Sequence, residues 1–170
     1  MQTRHNSLVS TREIIFLAAM LTTATVLLFS NLGNIYLWQD EAQTALISQT
    51  ILEHFIPRGF DGKNFLSQEL GAEYGENYIW KWHTWLPFYL TALFFKIFGI
   101  STTTARLPFA LFGLGCLPLL YLFCRSLFND KKIAIIAVFV LTFSVPFLIL
   151  ARQCRYYSLT AFFSIAGLYG

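Results

Sequence analysis

The chain has 170 residues, of which 56% are hydrophobic and only 12% are charged, and its mean hydropathy is +0.56. Soluble domains are typically ~45–50% apolar and ~25% charged, so this composition excludes an ordinary soluble protein and indicates an integral membrane protein. The net charge of +3 comes from basic residues beside apolar runs, which is typical of membrane-flanking charges and argues against a nucleic-acid partner.

The first predicted element is a membrane-spanning helix. Residues 1–13 are polar and carry Arg4 and Arg12, and basic residues before a first span favour the cytoplasm. Residues 14–32 form an apolar run close to the ~20 residues that a bilayer requires. The run is too long for a signal-peptide core, and no small-residue cleavage site follows it. We therefore expect it to remain as a membrane anchor.

Residues 33–83 are predicted to form an extracytoplasmic loop that contains an amphipathic helix over residues 40–55. Asp40 is placed to cap this helix, with Gln43 at the capping-box position. Apolar residues recur at helical spacing, so one face is expected to rest on the membrane interface: Ala45, Leu46, Leu52 and Phe55. Aromatic residues flank both ends of the loop in the manner of a membrane-interface belt: Tyr36, Trp38, Tyr78, Trp80, Trp82 and Trp85.

Residues 84–170 are predicted to form further transmembrane or interfacial helices. Apolar runs cover residues 86–100, 107–128 and 133–151, and a last run begins at Tyr156. This last run is too short to span at ~1.5 Å per residue, so we expect a chain truncated in its last helix. The sequence therefore predicts an all-α, polytopic transmembrane protein whose first loop bears an interfacial helix.

Two topologies stay open. If every apolar run spans, three basic residues lie outside the cytoplasm, against the positive-inside tendency: Arg125, Lys131 and Lys132. If residues 86–100 are re-entrant or interfacial, those basic residues return to the cytoplasm. Arg152 and Arg155 then face the same side as Asp40, and we favour this second arrangement.

The adjacent carboxylates of Asp40 and Glu41, just after the first span, are the first place to expect chemistry. One interpretation is structural, with a capped helix start and an acidic first turn beside the N-terminal dipole. The other is catalytic: a carboxylate at the membrane surface deprotonates or orients an acceptor nucleophile, and desolvation tunes its pKa. The two interpretations are compatible, because a capped helix start holds a carboxylate rigidly.

Other polar residues near the apolar runs are candidates for substrate binding. His83 is either a hydrogen-bonded belt residue or a contact to phosphate. Arg152 and Arg155, followed by Tyr156, bind either lipid headgroups in general or one specific phosphate, which the guanidinium fork suits. Arg106 is interpreted as a helix-start anchor. Three acids are interpreted as a solvated loop face: Glu69, Glu73 and Glu76. No metal site is assigned, and the cysteines are interpreted as small buried hydrophobes: Cys116, Cys124 and Cys154.

Four short motifs succeed one another along the chain. They are Trp38-Gln-Asp40-Glu41-Ala42, Trp82-His83-Thr-Trp-Leu-Pro87-Phe-Tyr89, Ala105-Arg106-Leu107-Pro108 and Ala151-Arg152-Gln-Cys-Arg155-Tyr156. Their order resembles the N-terminal part of the GT-C membrane glycosyltransferases, in the branch of protein O-mannosyltransferases and lipid A aminoarabinose transferases. The resemblance covers most of the chain from Tyr36 onward.

The resemblance implies a multi-pass enzyme of the bacterial inner membrane that moves a hexosyl or pentosyl group from a polyprenyl-phosphate donor to an extracytoplasmic acceptor. It implies that activity needs a longer chain, and that membrane lipid is the surrounding partner. It also implies catalytic carboxylates at Asp40, the candidate general base, and Glu41. Donor-binding residues are implied at four positions: His83, Arg152, Arg155 and Tyr156.

The sequence departs from this family's pattern at two points. Thr84 and Trp85 intervene before Pro87, so the His-Pro-Pro motif of the family is degenerate here. The second acidic residue that many relatives carry after the arginine at Arg152 is replaced by tyrosines. The cofactor is therefore unknown from the sequence, and the use of a divalent metal stays open.

Two other functions stay open at this point. A transporter or flippase-like protein would carry ionisable groups in the middle of its spans, whereas the acids here gather in one loop. A non-catalytic accessory fragment of a larger transferase is the second alternative. The sugar, the acceptor and the oligomeric state do not follow from the sequence.

Overall fold

The computed structural model describes residues 10–170, which form seven α-helices, one short 3-10 helix and isolated β-bridges. The α-helices are α1 (Thr11–Phe29), α2 (Gln39–His54), α3 (Leu86–Phe98), α4 (Thr102–Phe128), α5 (Lys131–Thr142), α6 (Val145–Ala151) and α7 (Tyr157–Tyr169). The predicted all-α class is confirmed. Most of the predicted cytoplasmic segment, with Arg4, lies outside the described residues.

Two helices in the described part of the chain are long and apolar enough to cross a bilayer by themselves. They are α1, with 19 residues, and α4, with 27. The run predicted over residues 133–151 is divided into α5 and α6, which qualify as one span only together and are bent by 64°. Pro146 is the second residue of α6, and a proline has no N–H to continue a helix from the preceding turn.

Polar contacts at both ends of α1 show that α1 and α4 run antiparallel. At one end the Glu13 carboxylate pairs with Arg125 at 3.3 Å, and these residues lie at the start of α1 and near the end of α4. At the other end Arg106, near the start of α4, donates to the carbonyl of Leu32 at 2.9 Å, just past α1. We call these the Glu13 end and the Arg106 end. Helices α1, α4 and α5 share a core between them: Ala24, Leu117, Tyr121, Cys124, Ala134 and Val138.

Helix α3 stays at the Arg106 end. It has 13 residues, and Ser101, just beyond it, caps the start of α4 by accepting a hydrogen bond from the Thr104 amide at 3.1 Å. At ~1.5 Å per residue α3 is about 20 Å long, which is less than the ~30 Å hydrocarbon core. Its Phe95 packs with Ala45 and Phe109, which belong to α2 and α4. Helix α3 is too short to qualify as a span by itself, and the topology in which residues 86–100 do not span stays a prediction.

Helix α2 lies within one residue of its predicted bounds, but its start differs from the prediction. Trp38 is the N-cap residue, and its amide donates to the Glu41 carboxylate at 3.4 Å. Asp40 is the second helical residue, so the capping role predicted for Asp40 and Gln43 was wrong. Of the four residues predicted to rest on the interface, Ala45 is buried in the core. The other three are exposed: Leu46, Leu52 and Phe55.

The loop between α2 and α3 folds over α2. Its Trp80 is fully buried against Ile47 and Phe88. Elsewhere in the loop Glu73 is only 1% exposed, so its assignment to a solvated loop face was wrong. Burial alone would raise the pKa of Glu73, but hydrogen bonds outweigh it and lower that pKa to about 2. The donors include the Gln68 and Glu69 amides and the Ser67 hydroxyl.

Candidate functional site

The Glu41 side chain is completely buried and joins three parts of the fold. Arg106 binds it with both arms, from Nε to Oε1 at 2.8 Å and from Nη2 to Oε2 at 2.6 Å. The Cys154 amide, between α6 and α7, donates to the same Oε1 at 2.7 Å. A two-point guanidinium–carboxylate contact fixes orientation as well as distance. Glu41 therefore ties α2 to α4 and to the turn before α7.

The Arg106 guanidinium also organises the chain that leaves α1. Besides Leu32, it donates to the carbonyls of Ile35 at 2.9 Å and Tyr36 at 3.3 Å. Arg106 is thus more than the helix-start anchor predicted from the sequence, because it holds the whole connection from α1 to Asp40 in place.

Asp40 and Arg155 are brought together beside this anchor. Oδ2 of Asp40 lies 3.5 Å from Nη2 of Arg155, and Nη1 of Arg155 donates to the Asp40 carbonyl at 3.3 Å. The Asp40 side chain keeps 30% of its surface exposed, in contrast to its buried neighbour Glu41. The pair places a reachable carboxylate directly against a cation.

The Arg155 guanidinium has bonding capacity left. The residue is only 6% exposed, and its carbon Cζ lies 5.3 Å from the centre of the Tyr156 ring. Its Nε is buried and has no hydrogen-bond partner within the described residues. This N–H is therefore an unsatisfied donor, which is costly in a buried position, and it is closed to solvent as placed.

His83 lies within electrostatic reach of this pair. Its pKa is lowered, chiefly by burial and also by the positive charge of Arg155, while Asp40 opposes the shift. The Trp80 indole N–H donates to Nδ1 of His83 at 3.4 Å. His83, Asp40 and Arg155 therefore form one cluster, which we call the Asp40 cluster.

Arg152, the other predicted phosphate ligand, contacts a different part of the fold. Its guanidinium donates to the carbonyls of Leu27 at 3.2 Å and Ser30 at 2.7 Å, at the end of α1. A basic side chain at this position satisfies the last carbonyls of a helix and complements its dipole.

A groove of about 400 Å³ opens between the start of α3 and α7. Its walls are largely apolar, with hydroxyls at intervals: Thr84, Leu86, Pro87, Tyr156, Leu159, Thr160, Phe163 and Ser164. His83 directly precedes Thr84 in the chain, and Arg155 directly precedes Tyr156. The Asp40 cluster therefore adjoins the groove. Within residues 10–170, His, Cys, Asp and Glu side chains form no group of three that could hold a metal ion.

The fold and this cluster together define a helical membrane protein with carboxylate, imidazole and guanidinium groups beside a largely apolar groove. Residues 82–169, just over half of the 170, match the family described as dolichyl-phosphate-mannose-protein mannosyltransferase. The chain belongs to this family, and the resemblance to GT-C glycosyltransferases is confirmed. No curated protein and no solved structure matches the chain.

Family membership identifies the chain as a membrane glycosyltransferase of the GT-C type, a class that uses polyprenyl-phosphate sugars as donors. The matched region contains His83, Arg155 and all the residues that line the groove, and it begins after Asp40 and Glu41. The roles of the two carboxylates therefore rest on their geometry and on the motif order.

Proposed function

We propose that the protein transfers a sugar from a polyprenyl-phosphate donor to an acceptor at the extracytoplasmic surface of the cell membrane, with Asp40 as the general base. The observation that carries this proposal is the contact between the partly exposed Asp40 and the buried Arg155 at 3.5 Å. A base for the acceptor and a cation for the leaving phosphate are then side by side, next to a groove suited to an isoprenoid chain.

The proposed roles divide along the donor molecule. The groove holds the apolar chain next to its phosphate, and the Tyr156 side chain lines it beside Arg155. The positive charge of Arg155, beside Asp40, neutralises the charge that develops on the leaving phosphate. Arg106 and Glu41 act as positioning residues, since their two-point contact fixes the backbone on both sides of Asp40.

In the reaction, the acceptor hydroxyl gives its proton to the Asp40 carboxylate as its oxygen attacks the anomeric carbon. The bond from that carbon to the phosphate oxygen breaks, and its electron pair leaves with the polyprenyl phosphate. General-base assistance of this kind contributes ~10²–10⁴-fold. Holding both substrates in line at the membrane surface contributes further, because the encounter becomes intramolecular.

The sidedness of the reaction follows from charge. The Glu13 end carries Arg125 near the end of α4 and Lys131 and Lys132 at the start of α5. Such clusters between spans face the cytoplasm. The Arg106 end, with the Asp40 cluster, then faces the opposite side.

The test uses membranes that contain the full-length protein and a labelled pool of dolichyl-phosphate mannose. We expect Asp40→Asn to lower consumption of the donor by ~10²-fold or more, as loss of a general base does. Glu53→Gln is the matched control, because Glu53 is an exposed carboxylate on the same helix. Equal consumption in wild type and Asp40→Asn, at matched expression, would remove Asp40 as the base.

A further inference from the structure

Trp80 is the buried neighbour of His83, and its side chain can donate a hydrogen bond but cannot accept one. Its side chain is 0% exposed, and it packs in the core that α2 and α3 share. The two rings are nearly parallel, at an angle of 9°, with Nε1 of Trp80 3.4 Å from Nδ1 of His83. An indole N–H donates and cannot accept. Nδ1 of His83 must therefore present its lone pair to Trp80.

The geometry points to Trp80 as a positioning residue that fixes His83 in the neutral tautomer with its proton on Nε2, so that His83 donates a hydrogen bond to a phosphate oxygen of the donor. The inference rests on the proposed function for the identity of the ligand. It concerns a property of the free protein, the tautomer of His83, that is measurable without any substrate.

The charges around His83 favour the same state. A second proton on Nδ1 would remove the hydrogen bond from Trp80, and the positive charge of Arg155 disfavours a charged imidazole. Asp40 is the opposing charge. Neutral imidazole carries one proton, so the hydrogen bond at one nitrogen assigns that proton to the other.

This tautomer gives His83 and Asp40 different roles, with His83 as a hydrogen-bond donor and Asp40 as the base. A neutral histidine whose lone pair is already used cannot accept the acceptor's proton at Nδ1, and Nε2 is occupied by hydrogen. Asp40 then remains the base, while Nε2–H adds a second N–H donor beside Arg155 for the phosphate that leaves.

Amide side chains distinguish the two nitrogens in activity measurements. The amide nitrogen of glutamine reaches approximately the position of Nε2, and that of asparagine approximately the position of Nδ1. We expect His83→Asn to raise KM for dolichyl-phosphate mannose by about tenfold or more, the scale of a lost hydrogen bond to a charged group. His83→Gln should recover most of this loss. Equal losses in the two variants would overturn the inferred donor role.

The tautomer itself is read by nitrogen NMR of histidine-labelled full-length protein, with His83 assigned by its absence in His83→Gln. We expect a proton on Nε2 and a lone pair on Nδ1 at neutral pH, and a mixture of tautomers in Trp80→Phe. A proton on Nδ1 in the wild type would overturn the inference, even if Trp80→Phe failed to fold. Absence of sugar transfer together with the expected tautomer would instead refute the proposed function alone.

Discussion

Asp40 and Glu41 are neighbours in the chain but have opposite surroundings. Glu41 has lost all its exposure and binds both arms of Arg106, whereas Asp40 keeps an open surface beside Arg155. From the sequence both acids were predicted to be catalytic, with Asp40 as the candidate general base, and no positioning role was predicted for Glu41. The structure supports the proposal of one carboxylate that positions and one that reacts.

Replacement of Glu41 should be costly for stability. Glu41→Gln removes the charge that compensates Arg106, and a broken buried pair costs about 3–5 kcal/mol. Asp40→Asn should cost less than Glu41→Gln, because Asp40 makes a single 3.5 Å contact with Arg155 and its carboxylate is partly exposed. Thermal unfolding in detergent measures both. A melting temperature for Glu41→Gln no lower than that for Asp40→Asn would contradict the anchoring role.

Glu73 should make the loop sensitive to acid. Its pKa is about 2 in the folded protein, below the ordinary value of 4.5. The stability that it contributes is therefore fully present above pH 4.5 and is lost as the pH falls from there towards 2. We expect melting temperatures of Glu73→Gln to depend less on pH than those of wild type across this window. Parallel profiles for the two proteins would show that Glu73 does not have this role.

At the scale of elements, α6 packs closely on α4 because residue 113 of α4 is a glycine, which has no side chain. A Cβ atom added at Gly113, in α4, would lie 2.7 Å from Cβ of Ala151, the last residue of α6. Such contacts force the backbone to shift. The end of α6 therefore packs directly on α4 at Gly113. The turn that carries Arg155 begins just after this contact.

Gly113→Ala should therefore destabilise the protein, by about 1–3 kcal/mol for overpacking. The matched control is Gly167→Ala in α7, where a Cβ meets nothing within 4 Å and alanine gains up to about 1 kcal/mol of helix propensity. Opposite shifts in melting temperature are expected. A neutral or stabilising effect of Gly113→Ala would show that α6 does not depend on this contact.

At the scale of the whole molecule, the antiparallel arrangement of α1 and α4 predicts which loops share a side. Cysteine at Lys63, in the loop before α3, should react with an impermeant maleimide added outside cells, and cysteine at Lys131 should not. The native cysteines give little background, because all three are buried. Labelling at Lys131 alone would reverse the proposed sidedness, and labelling at both positions would contradict the placement of the two loops on opposite sides.

Much of this architecture could be predicted from the sequence, because hydrophobic length and charge are properties of short segments. The bounds of α2 and α3, the bundle class and the candidate residues Asp40, His83 and Arg155 follow from such local patterns. The contact between Glu41 and Arg106 does not, since it joins residues 65 positions apart. The burial of Glu73 could not be predicted from the sequence either. Its carboxylate is satisfied by backbone amides, which every residue except proline has, so no residue type marks the site.

The order in which the ribosome makes these residues has a consequence for assembly. The first helix is synthesised early, and Asp40 and Glu41 follow at once, but the Cys154 amide that completes the Glu41 contacts lies 113 residues later. Domains form from the N-terminus as the chain emerges, so the loop after the first helix waits through most of this synthesis without its partners. Arg106 follows Glu41 by 65 residues and is the first of these partners to be made, and the anchor beside Asp40 is complete only when the Cys154 amide joins it.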